Sequence, residues 1–321
     1  MKRFLALFLV LLPCMAVAGP LTSVARSCIP TDVQQLIVVD YRSLNNSPTA
    51  VALKNKLMPP QLADFEKALR AVGVVPDRDV DQLVFAMFRF KDKVEKDGKE
   101  VPRESLRILG VAQGQFAGKK LATRLVTQKI RGKKYRTYSI YPMANGLSMV
   151  MIDDFNMVFG FEEVLKASLD VYDGVQGRSL NSNSAVTDLM SGVDSDTIWS
   201  VLDPIGTQTM LRSALGDAAG LADYETIKNR LQGSRYGMTF NNGVELDLHV
   251  KTSDVVSAST LSSLLKVGVS FRKANSSEVE KSALEGVTVS AEASNLRIVF
   301  KADDAKFKDL LGTDLFAAVS K

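Results

Sequence analysis

The chain has 321 residues, 46% of them hydrophobic and 24% charged, and its 40 basic and 36 acidic side chains leave a net charge of +4. That is ordinary globular composition, and so small a net charge supplies no global field toward nucleic acid or a membrane surface. Two cysteines and one histidine exclude a disulfide-stapled scaffold and the Cys/His-rich structural zinc classes.

Lys2 and Arg3 precede an apolar run from Phe4 to Leu12, and Ala16-Val17-Ala18 is a small-x-small cleavage site. Residues 1–18 therefore read as a secretory signal peptide that exports the chain to the periplasm or beyond. The run is too short to anchor in a bilayer, and no later segment is apolar enough to span one. A lipoprotein would need Cys14 modified, but Leu12-Pro13 lacks the small residue such a site uses. Loss of residues 1–18 lowers the net charge to +2 and leaves Cys28 as the single cysteine. Cys28 is expected as an incidental thiol in a mobile arm, with a Cys28-linked dimer as the alternative.

Leu36–Asp40 (LIVVD) reads as a buried strand, and Ser47–Leu57 and Gln61–Val72 as helices, the second stopped by Gly73. Gln82–Phe90 and Leu106–Gln113 read as strands joined by an exposed, charge-rich hairpin loop, DKVEKDGKEVPRE. Gly118–Gln128 is a helix, Lys134–Tyr141 and Leu147–Phe161 supply strands, and Glu162–Val171 is a helix. The order then recurs: a strand at Asp196–Leu202, a helix at Leu221–Leu231, a hairpin turning at Asn242-Gly243, a helix at Thr260–Val267, strand–turn–strand over Val287–Ala302, and a last helix from Lys306. LADFEKALRAVG at 62–73 corresponds to LADYETIKNRLQG at 221–233. The predicted architecture is α+β: two similar β-α-β-β-α-β-β-α halves, residues 29–180 and 185–321, with largely antiparallel sheets and helices packed on one face. The halves form either one continuous domain or two.

Few residues look like chemistry. Glu245, Asp247, His249 and Lys251 alternate with apolar residues, which places them on one sheet face; a solvated face explains this better than a metal site. No nucleophile elbow accompanies the lone histidine. GQFAGKK at 114–120 follows a strand and opens a helix, but its spacing is one residue short of a phosphate loop. Asp153-Asp154 and Glu162-Glu163 read as turn and helix-start chemistry, because EASN and ADD occupy the matching places in the second half. No catalytic, cofactor-binding or metal-binding residue is assigned, and no cofactor is expected.

Between Glu104 and Asp153 there is no acid. Lys119, Lys120, Arg124, Lys129, Arg131, Lys133, Lys134 and Arg136 in this stretch form the candidate basic surface for an anionic partner: an envelope component such as a phospholipid headgroup or acidic glycan, or a protein. Nucleic acid would require more charge and a recognisable module.

CIPTDVQQLIVVDYRSLNNSPTAVALKNKL, then GVVP before DVDQLVFAMF, then MIDDFNMVFGFEEVLKASLD, resembles a diffuse group of exported bacterial proteins of unknown function. The resemblance covers mainly the first half. It implies export and fold, and brings no catalytic residue. The expectation is an exported, soluble, non-enzymatic binding or accessory protein of the bacterial envelope. A carboxylate-dependent hydrolase or other enzyme, or a self-assembling surface component, remain the alternatives.

Overall fold

The computed structural model describes residues 20–312, apart from 58–59, 72, 97–98, 216–223 and 275. The expected signal peptide, and Cys14 with it, lie outside the described residues.

After α1 (Ser23–Cys28) come β1 (Gln35–Asp40) and four helices, α2 (Tyr41–Asn45), α3 (Pro48–Leu57), α4 (Pro60–Ala71) and α5 (Pro76–Asp79). The long hairpin β2 (Val80–Lys96) and β3 (Lys99–Gly114) leads to α6 (Gly118–Thr127). Strands β4 (Lys133–Tyr135), β5 (Tyr138–Pro142), β6 (Leu147–Met151) and β7 (Asn156–Phe161) follow, then α7 (Glu162–Tyr172) and α8 (Ser184–Met190). The remainder is β8 (Ile198–Leu202), α9 (Pro204–Leu215), α10 (Tyr224–Lys228), β9 (Leu231–Thr239), β10 (Val244–Thr252), α11 (Val255–Ala274), α12 (Glu278–Leu284), β11 (Val287–Glu292), β12 (Asn295–Ala302) and α13 (Asp304–Leu311).

The strands make one sheet in the order β11-β12-β10-β9-β8-β1-β2-β3-β7-β6-β5-β4. Each pairing is antiparallel, so the α+β class holds. Read outward from the β1–β8 seam, β1-β2-β3-β7-β6 and β8-β9-β10-β12-β11 have the same order, which is the structural form of the two similar halves. At the seam Val38 stands opposite Trp199 and Leu36 opposite Val201, so the sheet is continuous across the boundary near residue 180.

Alternation along the strands sorts side chains to two faces. Val38, Val84, Val111, Val158 and Trp199 share one core with residues of α1, α7 and α8. On the opposite face, Leu83, Ala112 and Met157 pack with Phe65 and Leu69 of α4 and with Leu121 and Leu125 of α6. That same face continues in the second half beneath α3, α10, α11 and α13. The expectation of helices on one face therefore applies to the second half alone. In the first half, helices cover both faces, because its strands carry apolar side chains at consecutive positions, such as Leu83-Val84 and Met157-Val158. On the face shared with Trp199, α8 reaches only as far as β9, and β10, β12 and β11 are left without a helical cover among the described residues, with mostly polar outward residues.

Four other expectations change. The charged segment read as a loop is strand: β2 and β3 stay in register from Leu83↔Ala112 to Lys96↔Lys99. Alternation was not needed there, because the ladder extends past both neighbouring strands. Among the described residues of the segment read as a helix over 221–231, the helix is the short α10, and β9 begins at Leu231. The Asn242-Gly243 hairpin exists, but Thr239 pairs with Glu245, so the loop is longer than two residues; Asn242 supplies its positive φ of 58°. Cys28 is fully buried in α1 rather than sitting in a mobile arm, because Leu21, Ala25, Cys28 and Ile29 form one apolar stripe in the core with α7. Burial pushes its thiol up to about 12, and it has no surface from which to bridge a second chain.

Candidate functional site

The basic stretch divides into engaged and free cations. Lys119 and Lys120 lie in α6, and their side chains are outside the described residues. Arg124 Nη1 donates to Gly73 O at 3.1 Å, and Gln128 Nε2 to Ala71 O at 2.7 Å, so this end of α6 caps α4. Gly73, at φ 79°, turns the chain out of that helix. Lys133 Nζ meets Glu162 at 2.8 Å, and Arg136 Nε meets Asp170 at 2.7 Å. Lys129, Arg131 and Lys134 are exposed, and no ion pair engages them among the described residues. Lys134 lies on β4, the edge strand of the sheet.

The paired acids hold turns and helix starts. Asp153 Oδ1 accepts from Phe155 N at 2.8 Å and from Asn156 N at 2.7 Å, closing the turn between β6 and β7. Glu162 and Glu163 stand in the first turn of α7. Hydrogen bonds from Lys133 and Lys166 hold Glu162 down to about 2, and Glu163 pairs with Arg107. The first three amides of the GQFAGKK segment are in use: Gly114 N donates to Phe155 O at 2.9 Å, Gln115 N to Asp79 O at 2.8 Å and Phe116 N to Asp154 O at 3.1 Å. Among the described residues, no group of three or more His, Cys, Asp or Glu side chains could hold a metal ion.

The uncovered face of the second half brings together residues that the sequence scatters. Cross-strand register aligns Arg235 of β9 with His249 of β10, His249 with Arg297 of β12, and Arg297 with Ser290 of β11. Adjacent strands are about 4.8 Å apart, so this is a single polar row across four strands. Asp247 organises it: Arg297 donates to both its oxygens, at 3.0 and 2.7 Å, and His249 Nε2 lies 3.1 Å away. The row forms the floor of a concavity of about 890 Å³, walled by α8 and by the β11–β12 turn. Sequence reasoning placed Asp247, His249 and Lys251 on one face but missed Arg235 and Arg297, since only register brings other strands alongside.

Asp196, just before β8, carries a carboxyl raised by burial, then by repulsion from Asp247, Asp194 and Glu245. A carboxyl raised in the folded state costs stability wherever the unfolded chain is ionised, and that cost disappears as acid protonates both states. Asp196→Asn should therefore raise Tm at neutral pH, with the gain shrinking as pH falls through the carboxylate range. A lower Tm at neutral pH would show instead that Arg235, which opposes the shift, holds the charged form.

No family model matches the chain, and no curated protein matches it. Among solved structures, crystal form I of a protein designated TP0453 is similar at a TM-score of 0.50 and 9% identity, covering 92% of this chain and 96% of that one. Crystal form III of the same protein gives 0.49, also at 9% identity, covering 92% of this chain and 97% of that one. The first likeness extends the α+β fold to a known structure over nearly the whole chain. Among the described residues, no helix is long and apolar enough to cross a membrane.

Proposed function

We propose that this is an exported, non-enzymatic binding or accessory protein of the bacterial envelope, akin to the group of exported proteins its sequence resembles. On this reading it engages an anionic envelope component or protein through the basic surface at 119–136. The observation that carries the reading is the set of three exposed cations, Lys129, Arg131 and Lys134, without an ion-pair partner among the described residues. The nearby acids Glu162 and Asp170 are already occupied by Lys133 and Arg136. The residual charge is exposed between α6 and the edge strand β4, where Lys134 also guards against edge-to-edge pairing. A non-enzymatic role is supported by the chain's single histidine, whose carboxylate neighbour Asp247 is committed to Arg297.

The test is retention of the chain lacking residues 1–18 on heparin, and on vesicles with and without anionic lipid, as salt rises. The triple variant Lys129→Gln, Arg131→Gln, Lys134→Gln should fold normally and elute at clearly lower salt. No retention of the parent protein in low salt, or coelution of parent and variant, would defeat the reading.

A further inference from the structure

We infer that the concavity on the uncovered face of the second half is a binding site for a small polyhydroxylated anion, with the chemistry of an acidic sugar. Its floor is the row Arg235–His249–Arg297, and Lys251 lies two residues further along β10 on the same face. Arg297 is held by Asp247, which fixes its planar fork. Arg235 and Lys251 have no ion pair among the described residues; Asp196 attracts Arg235 from outside the lining without closing a salt bridge, so two cations in one hollow can still meet an oxyanion.

The position of Arg235 depends on Gly192, outside the lining. Its guanidinium lies so close to Gly192 that a Cβ there would collide with it. Gly192 has no positive φ, so an alanine would displace the arginine head without straining the backbone.

The remaining lining decides what kind of anion fits. Asp188 and Glu292 also border the hollow, so it is not a uniformly positive trough and would repel a polyanion. Carboxylates there accept hydrogen bonds from hydroxyls, while Asn295 and Ser290 can both donate and accept. One oxyanion at Arg235 and Lys251, with several hydroxyls toward Asp188, Glu292 and Asn295, satisfies the whole set. A volume of about 890 Å³ lies within the range that encloses small ligands. This site is separate from the basic surface at 119–136, and its failure would leave that reading untouched.

His249 is the only histidine in the chain, so its imidazole signals in NMR are a unique reporter of the floor. Titration at constant pH with glucuronate and with glucose 6-phosphate should shift those signals saturably, and the stronger of the two identifies the oxyanion as carboxylate or phosphate. Glucose should not. Arg235→Gln and Lys251→Gln should each weaken binding by about tenfold, and Gly192→Ala by a smaller factor. The inference is overturned if neither acidic sugar moves the His249 signals, if glucose moves them equally, or if Arg235→Gln and Lys251→Gln bind like the parent.

Discussion

Trp199→Ala is expected to lower the unfolding free energy by about 3–5 kcal/mol, measured from denaturant melts. Trp199 is 1% exposed. It lies on β8, opposite Val38 of β1 on one side and Gly237 of β9 on the other. The ring therefore fills the core where the two halves of the sheet meet, and the flanking β-strands cannot close in without losing their hydrogen-bonded register. Set against a typical total of about 5–15 kcal/mol, this is a large fraction. Since the seam joins strands of both halves, the melt should shift as one transition. A loss below about 1 kcal/mol would mean that the site collapses around the missing ring.

Glu66→Ala is expected to cost about 3 kcal/mol or more, because it strands a buried ammonium. Glu66 of α4 accepts from Lys54 of α3 at 2.7 Å and from the Tyr41 hydroxyl of α2. The Lys54 side chain is 9% exposed and its ammonium sits 4.3 Å above the Tyr41 ring. Burial, and then the bond to Glu66, pushes the Tyr41 phenol above its ordinary pKa, so it remains a donor. Without Glu66, Lys54 keeps only Asp77, at 3.2 Å and half-exposed, while Tyr41 loses its acceptor. That partial substitute places the loss at the low end of the range for breaking a buried pair. The triple variant Tyr41→Phe, Lys54→Met, Glu66→Leu removes every stranded group at nearly constant volume and should recover most of the loss. If the triple variant is as unstable as Glu66→Ala, packing rather than charge explains the effect.

The parts of the fold legible in sequence are those set by local chemistry. The α4 stripe of Leu62, Phe65 and Leu69 and its Gly73 stop specify a helix and its end. The acids at 153 and 162 declare a turn and a helix start, and the alternation of VELDLHVK declares a strand with one polar face. Other elements were not legible for equally local reasons. The ladder from residue 90 to 106 is polar and charged, so composition suggested a loop, although Asp97-Gly98 between its arms is a two-residue hairpin signal. Segment α1 spans less than two turns, so its apolar stripe does not stand out in sequence, and its packing against α7 and the sheet makes Cys28 a core residue.

Sequence alone determined the α+β class, the repeated order of the halves and the polar character of one face of β10, because side-chain period and turn chemistry are properties of neighbours along the chain. Only the tertiary structure decided that α1, α7 and α8 cover the central part of that face as far as β9 and leave β10, β12 and β11 open. It also decided that Arg235, His249 and Arg297 fall in one row and that Glu162 and Asp170 neutralise part of the basic stretch. Register and helix coverage depend on contacts between residues tens to more than a hundred positions apart, and no local pattern encodes them.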